Sequence, residues 1–239
     1  MEVVHDLLNY KNLKILQNTN MFSFSLDSVL LPNFVTLNKN VKRILDIGCG
    51  NAPVSMILST KTDAHITGIE IQEEVYHMAK KSVEMNHLNE QINIIHGDVK
   101  EWYREMESDQ FDTIVCNPPF FKVNNHSRRN ESEYKQIARH ELTLNVNDVI
   151  QIARKLLKNN GNLAIVHRTE RLIDIITEMR KQNIEPKRIR FVYPKVGEKS
   201  NILLIEGRKN GKPGIKILPP LYSHTNDDEY TEEVKRMFY

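Results

Sequence analysis

Cysteine is scarce in this sequence, and long apolar runs are absent from it. The 239 residues include two cysteines, Cys49 and Cys116, whose separation matches no metal-ligand spacing. A disulfide scaffold and a metal site are therefore not predicted, and both thiols are expected to be buried in a protein of the reducing cytoplasm. No apolar run approaches the roughly 18 residues of a membrane span. Because four charged side chains interrupt the first 25 residues, a signal peptide is not expected either.

A large net charge is also missing, but the charges are unevenly distributed. The formal net charge is +2. Residues 1–119 hold 10 Lys and Arg against 16 Asp and Glu, whereas residues 120–212 hold 20 against 10. A basic half beside an acidic half favours a polyanionic partner. The alternative interpretation is a solvated basic face that binds nothing.

Short apolar segments alternate with amphipathic ones from residue 43 onward. The predicted strands are Arg43–Gly48, His65–Ile71, Ile92–Ile95, Phe111–Cys116, Leu163–Val166, Arg188–Tyr193 and Asn201–Glu206. Helical patterns lie between most of these strands, and Gly161 is predicted to end the helix before the fifth. This alternation predicts an α/β fold with a parallel sheet covered by helices on both faces. Since no helical pattern separates the last two strands, that pair is predicted to be antiparallel.

Length and composition fit one domain with appended segments. The chain is 40% hydrophobic and 27% charged, which is typical of a soluble globular protein. We expect residues 1–35 to form an N-terminal segment that packs near a ligand site. Residues 36–210 are predicted to form the main domain, and residues 211–239 a C-terminal tail.

Acidic residues and glycines stand at the ends of the first three predicted strands. Gly48 and Gly50 would form a turn that lets a ligand approach the backbone. Asp46 would repel a pyrophosphate but could accept from an ammonium group. Glu70, 20 residues after Gly50, is placed to bridge ribose hydroxyls, and Asp98 to accept from an adenine amino group. A ligand with a ribose, an adenine and a positive charge but no phosphate is S-adenosylmethionine.

The fourth predicted strand leads into Asn117-Pro118-Pro119-Phe120. Two consecutive prolines fix φ and remove two backbone donors, so this segment is predicted to be a rigid turn. It would present the amide oxygen of Asn117, the carbonyl of Pro118 and the ring of Phe120. Two acceptors beside an aromatic face suit a planar NH2 group.

Together these motifs resemble the class I S-adenosylmethionine-dependent methyltransferases, over about residues 20–208. The resemblance implies a Rossmann-like, seven-stranded, mostly parallel sheet with an antiparallel last strand. It also implies that S-adenosylmethionine is bound without a metal. The cofactor-binding residues implied are Phe24, Asp46, Gly48, Gly50, Asn51, Glu70, Ile71, Asp98, Val99 and Asn117.

In that superfamily the loop marks methylation of a planar nitrogen: adenine N6, guanine N2 or the glutamine amide. The sequence is most similar to the bacterial adenine-37 N6-methyltransferases of tRNA1(Val). That similarity is carried by the segment from Phe24 to Leu31, the turn Asp46–Asn51 and the loop Asn117–Phe121, and the tail residues Gly207–Lys212 and Leu218–Leu221 complete it. The similarity implies tRNA as partner and catalytic roles for Asn117, Pro118 and Phe120.

Substrate contacts are expected from aromatic and basic residues, namely Phe120, Phe121, Arg128, Arg129 and Lys199. The wider basic group that could meet RNA near the strand ends includes Lys135, Arg139, Lys187, Arg188, Arg190 and Lys195. Two alternatives stay open, an rRNA guanine-N2 methyltransferase and a protein glutamine-N5 methyltransferase. An RNA-binding module without catalysis is a third, but it would be expected to have lost Asp46, Gly48, Gly50 or Asn117, and all four are present.

Overall fold

The computed structural model describes residues 2–7, 12–18, 25–118 and 144–238. The strands in these ranges are β1 (Glu2–Asp6), β2 (Lys14–Asn18), β3 (Arg43–Ile47), β4 (His65–Glu70), β5 (Ile92–His96), β6 (Phe111–Cys116), β7 (Leu157–Arg168), β8 (Ile184–Tyr193), β9 (Ile202–Lys209), β10 (Lys216–Ile217) and β11 (Leu221–Tyr222). The α-helices are α1 (Asp27–Phe34), α2 (Pro53–Ser59), α3 (Glu73–Met85), α4 (Val99–Glu105), α5 (Val146–Leu156), α6 (Leu172–Lys181) and α7 (Glu232–Lys235).

One large sheet dominates the fold, with its strands in the order β10-β8-β9-β7-β6-β3-β4-β5. The five strands from β7 to β5 are parallel. β9 lies between β7 and β8 and is antiparallel to both. The predicted parallel sheet and its antiparallel closing pair are therefore confirmed. The two-residue strands β10 and β11 pair with β8 and extend the predicted seven strands to nine among the described residues.

Helices cover both faces of this sheet, as the alternating patterns predicted. The apolar side chains of α1, α2, α3 and α7 pack in one buried cluster against one face of the strands. Those of α4, α5 and α6 pack in a second cluster against the other face. Successive strand residues alternate between the clusters: Ile44 and Val115 belong to the first, Leu45 and Ile114 to the second. None of the helices in the described ranges has the length and apolar character that crossing a membrane requires.

The transition from α5 to β7 differs from the prediction. Helix α5 ends at Leu156 and β7 begins at the next residue, so Gly161 does not end a helix. Instead the register of β7 against β6 shifts between Phe111 and Thr113, and Gly161 lies in this irregularity. A Cβ at Gly161 would stand 2.9 Å from the Lys158 carbonyl oxygen and 3.0 Å from that of Asp112. The glycine is therefore required by close backbone packing.

A two-stranded hairpin, β1 and β2, precedes the large sheet and was not anticipated. Its strands are antiparallel, with Val3 opposite Gln17 and His5 opposite Ile15. The other edge of β2 is bound to α3 by side chains. The Leu16 N–H donates to Ser82 Oγ (2.9 Å), and the Lys14 N–H donates to Asn86 Oδ1 (2.9 Å). The hairpin is thus held against the domain through helix α3.

Candidate active site

The carboxyl ends of β3, β4, β5 and β6 meet at one edge of the sheet because these strands are parallel. At or just after these ends lie the glycine turn (residues 48–51), Glu70 with Ile71, Asp98 with Val99, and Asn117. The structure thereby brings together the sequence-predicted groups that lie in the described ranges. Ligands of open α/β sheets bind at this edge.

The glycine turn leaves open space above its backbone. Gly48 and Gly50 have φ of +65° and +57°, a region that side chains disfavour. A Cβ at Gly50 would meet no atom of the described residues within 4 Å, and the nearest such atom to a Cβ at Gly48 belongs to Leu144, at 3.9 Å. The Cys49 N–H donates to the Ile69 carbonyl oxygen (3.1 Å), which ties the turn to β4. The turn therefore forms a cradle in which a ligand can contact the main chain.

Glu70 lies beside this turn, and its carboxylate is held by main-chain donors. Its Oε2 accepts from the Gly50 N–H (3.0 Å) and its Oε1 from the Gln72 N–H (2.9 Å). Glu70 is only 5% exposed. Because each carboxylate oxygen can accept more than one hydrogen bond, both oxygens can also accept from neighbouring hydroxyls.

Asp46 lies beneath the turn. It is 1% exposed, and its Oδ2 accepts from Ser55 Oγ (2.7 Å) in α2. Burial raises the pKa of the Asp46 carboxyl to about 7, although the Ser55 hydrogen bond opposes that shift. Asp46 thus has a protein partner, and Ser55 is a site residue that the sequence motifs did not reveal.

Asp98 caps helix α4 and borders the same edge. Its Oδ1 accepts from the Lys100 N–H (2.8 Å), which orients the carboxylate. The Ile71 side chain is 37% exposed at this edge, whereas the Val99 side chain packs in the core. Only the main chain of Val99 can therefore face a ligand.

The Asn51 side chain has a protein partner that the sequence did not indicate. Its Nδ2 donates to the Leu16 carbonyl oxygen (2.9 Å), and the residue is buried. The side chain ties strand β2 to the glycine turn. The Asn51 carboxamide therefore acts first as a structural link, and the pairing with residue 16 could not be read from the sequence.

Asn117 stands at the end of β6 with its side-chain amide oriented by helix α1. Its Nδ2 donates to Ser28 Oγ (3.3 Å), and the neighbouring Pro118 is buried. Since the amide nitrogen is engaged with Ser28, the amide oxygen is the atom that remains to accept from a ligand. Ser28 lies in the segment from Phe24 to Leu31 that carried the resemblance, but no role had been assigned to it.

Helix α1 also carries a buried carboxyl. Asp27, next to Ser28, is 7% exposed and receives a hydrogen bond from Ser25 Oγ (3.2 Å). Burial raises the pKa of the Asp27 carboxyl, and the positive charge of Arg168 opposes the shift. Arg168 ends β7, the strand parallel and adjacent to β6. Neither Asp27 nor Arg168 is among the site residues predicted from the sequence.

Several of the predicted site residues are not among the groups described so far. Phe24, Phe120, Phe121, Arg128, Arg129, Lys135 and Arg139 lie outside the described residues. Lys199 is exposed in the loop between β8 and β9. Because β8 and β7 are both antiparallel to β9, this loop lies at the same edge as Asn117.

The other basic residues around the closing strands are only partly placed as expected. Arg188 pairs with Glu206 (3.6 Å), Arg190 pairs with Glu233, and Lys195 pairs with Asp228 (2.7 Å). Lys187 lies in the amino-terminal half of β8 and donates to the Lys212 carbonyl oxygen (2.9 Å). The expectation that the whole group surrounds the carboxyl edge is therefore wrong for Lys187 and for Arg188, which also lies in the amino-terminal half of β8, and the charges of the three paired residues are locally balanced.

Known proteins are similar to this chain in sequence and in fold. Residues 12–182 match the family model described as the methyltransferase small domain. A tRNA1(Val) (adenine(37)-N6)-methyltransferase of Flavobacterium psychrophilum is 26% identical over 231 residues, which are 95% of each chain. The enzyme of the same name from Christiangramia forsetii is 28% identical over 232 residues, 95% of this chain and 94% of the relative.

Solved structures also resemble this fold. An Agrobacterium tumefaciens protein described as a predicted O-methyltransferase has a TM-score of 0.69 at 19% identity, over 89% of this chain and 95% of its own. A geranyl diphosphate C-methyltransferase from Streptomyces coelicolor, solved with S-adenosyl-L-homocysteine, has a TM-score of 0.57 at 8% identity, over 76% of each chain. At these identities the likeness shows a shared fold.

Proposed function

Because the chain belongs to the methyltransferase small domain family, we propose that it methylates N6 of an adenine in tRNA with S-adenosylmethionine as donor. The nucleotide we propose is adenosine 37, beside the anticodon of tRNA1(Val). Relatives with this activity in their names align over 94–95% of their own length, so the proposal covers the whole chain. A tRNA substrate implies a cytoplasmic location.

The residues at the carboxyl edge fit S-adenosylmethionine. The open space over Gly48 and Gly50 would receive its methionine portion, the Glu70 carboxylate its ribose hydroxyls, and Asp98 its adenine amino group. Ile71, which is 37% exposed, would contact the adenine ring. The glycine turn and the Glu70 and Asp98 carboxylates are held by hydrogen bonds before any ligand arrives, and such preorganisation lowers the cost of binding.

The proposal that the methyl acceptor is an exocyclic amine rests on the orientation of the Asn117 side chain. Its amide nitrogen donates to Ser28 Oγ, so its oxygen is available to accept from an exocyclic amine. The Pro118 carbonyl is the second acceptor implied by the loop. Two acceptors would bind both hydrogens of adenine N6 and leave the nitrogen lone pair aligned for transfer. A hydroxyl, a carboxylate or a carbon nucleophile has no such pair of N–H hydrogens.

Catalysis in this site is mainly positioning and charge stabilisation. S-adenosylmethionine supplies, when bound, an electrophilic methyl group on a sulfonium. Asn117 and Pro118 hold N6 in line with that methyl, and their oxygens stabilise the positive charge that grows on nitrogen. Phe120 is proposed to stack on the extruded base, a contact worth about 1–3 kcal/mol. Phe121, Arg128, Arg129 and Lys199 are proposed to contact the rest of the RNA.

The test is nucleoside mass spectrometry after methylation of defined RNAs. Unmodified tRNA1(Val), the same transcript with adenosine 37 changed to guanosine, and rRNA would each be incubated with protein and isotope-labelled S-adenosylmethionine. We expect labelled N6-methyladenosine from the first transcript alone. Labelled N2-methylguanosine from rRNA, or label in protein glutamine, would replace the proposed activity with one of the alternatives.

A further inference from the structure

Gln17 carries a buried amide nitrogen that has no partner in the described part of the chain. The residue is 6% exposed, and its Nε2 is inaccessible to solvent and makes no hydrogen bond to a described residue. Most buried polar side-chain atoms are hydrogen-bonded, because an unsatisfied donor costs its desolvation free energy. An orphan donor therefore suggests a partner that joins the fold as a ligand.

Strand β2 places Gln17 at the glycine turn. The preceding residue, Leu16, accepts the hydrogen bond of Asn51, which directly follows Gly50. The following residue, Asn18, donates from Nδ2 to Glu74 Oε1 (3.0 Å) in the first turn of α3. Gln17 thus stands between two contacts, one to the glycine turn and one to the helix that follows Glu70.

The side chain of Gln17 is directed to the interior of the domain. In a strand, alternate residues share a face, so Gln17 shares its face with Ile15. Ile15 is fully buried in the core cluster that contains Val29 and Ala52. The Gln17 amide therefore lies on the core-facing side of the hairpin, one residue beyond the link to the turn.

We propose that Gln17 Nε2 donates a hydrogen bond to the α-carboxylate of the methionine portion of S-adenosylmethionine; this rests on the proposed function. The carboxylate is the one anionic group of that donor. At the turn it would lie near two protein carboxyls, Asp46 and Glu70, and an anion in such surroundings requires a donor. An amide N–H satisfies the carboxylate and is itself satisfied by it.

Calorimetry with two ligands tests this assignment. S-adenosylmethionine and its decarboxylated analogue differ only in the carboxylate. We expect Gln17→Met to weaken S-adenosylmethionine binding about tenfold or more, as for a hydrogen bond to a charged group. Binding of the decarboxylated analogue should stay within about twofold. Because the substitution removes an unsatisfied donor, the unfolding temperature without ligand should not fall.

Two further variants separate the carboxylate contact from folding. Gln17→Glu keeps the side-chain length and puts an anion against the carboxylate, so at about pH 8 it should weaken S-adenosylmethionine at least as much. The matched control is Gln91→Met. Gln91 Nε2 donates to the Thr62 and Ala64 carbonyl oxygens (2.5 and 3.1 Å) at the opposite edge of the sheet. Its replacement should lower the unfolding temperature and leave both ligand affinities unchanged.

The outcomes distinguish this inference from the proposed function. If wild-type protein binds S-adenosylmethionine and Gln17→Met binds it equally well, the Gln17 assignment is wrong and the proposed function stands. If Gln17→Met loses both ligands to the same extent, Gln17 shapes the site without touching the carboxylate, which also overturns the inference. If the wild-type chain binds neither ligand, the proposed function fails and the inference with it.

Discussion

At the scale of single residues, the site depends on groups that orient the predicted ones. Asn117, Glu70 and Asp46 were identified from the sequence, yet the hydrogen bonds that hold them were not. Ser28 engages the Asn117 amide nitrogen, the Gly50 N–H binds Glu70, and Ser55 binds Asp46. These partners lie 89, 20 and 9 positions away in the chain. No local pattern could reveal the most distant of them.

Replacing Asn117 should damage turnover far more than cofactor binding. Asn117→Ala removes the oxygen proposed to act on the target amine, so single-turnover methyl transfer should fall by about two to three orders of magnitude. The dissociation constant for S-adenosylmethionine should change less than about threefold. Ser28→Ala leaves that oxygen present but frees the amide to rotate, and a loss of about tenfold is expected. Methyl transfer by Asn117→Ala within a few-fold of wild type would contradict the orientation argument.

The buried carboxyl of Asp46 should make stability depend on pH. Its pKa rises from 3.8 to about 7 on folding, so the folded state holds a proton that the unfolded state releases above about pH 4. The stabilising contribution is therefore complete below about pH 4 and is lost as the pH rises through about 7. Asp46→Asn removes this dependence while retaining an acceptor for Ser55. A tenfold difference in proton affinity between the folded and unfolded states corresponds to about 1.4 kcal/mol.

Urea unfolding at about pH 5 and pH 8 checks this expectation. From about pH 5 to about pH 8, the free energy of unfolding of the wild type should fall by a few kcal/mol relative to that of Asp46→Asn. If the unfolding free energies of wild type and Asp46→Asn differ by the same amount at both pH values, the Asp46 carboxyl is not buried as it is in the structure.

At the scale of secondary-structure elements, the N-terminal hairpin joins the site to the domain. Two amides hold β2: Asn51 binds the Leu16 carbonyl at the glycine turn, and Asn86 binds the Lys14 carbonyl (2.6 Å) on α3. One link adjoins the proposed cofactor site and the other lies near the end of α3. Variants of these two amides can therefore distinguish an effect on the docking of the hairpin from an effect on the glycine turn.

Both amide truncations should destabilise the protein, but only one should affect the cofactor. Asn51→Ala and Asn86→Ala each break hydrogen bonds to β2 and should cost about 1–2 kcal/mol in urea unfolding. Asn51→Ala should also weaken S-adenosylmethionine about fivefold or more, because the turn loses its link to β2. Asn86→Ala should leave that affinity unchanged. Equal affinities in the two variants would show that the link does not support the turn.

At the scale of the whole molecule, several residues of the basic half are paired with carboxylates or lie away from the carboxyl edge of the sheet. Arg188, Arg190 and Lys195 are paired with carboxylates, and Lys187 lies away from the carboxyl edge. Lys199 is exposed at that edge. A contact with RNA phosphates is thus expected to involve fewer basic residues than the charge count implies.

Salt dependence of tRNA binding measures how many of these charges matter. Affinity should fall steeply with salt, with a logarithmic slope of about −0.7 for each phosphate contact on single strands. Lys199→Gln should make the slope less steep by about 0.7, the value for one phosphate contact. Lys187→Gln, which removes the same charge from the amino-terminal half of β8, should leave it unchanged. A flat titration of the wild type would contradict tRNA as the partner.

The layers of the fold and the chemistry of its edge could be predicted from local sequence. Apolar periodicity depends on near neighbours, so it predicted the parallel sheet and the antiparallel closing pair. Strand ends identified Glu70, Asp98 and Asn117, because parallel strands bring such residues to one edge. The same local pattern misassigned Gly161, whose glycine is required by contacts across strands with Asp112.

What holds these groups in place, and what surrounds them, depends on tertiary packing. The bonds from Asn117 to Ser28 and from Asn51 to Leu16 join residues that are far apart in the chain. Their formation depends on how helix α1 and strand β2 pack, which no short-range pattern encodes. The orphan amide of Gln17, unpartnered among the described residues, is likewise visible only after burial is known, because an exposed glutamine would be satisfied by water.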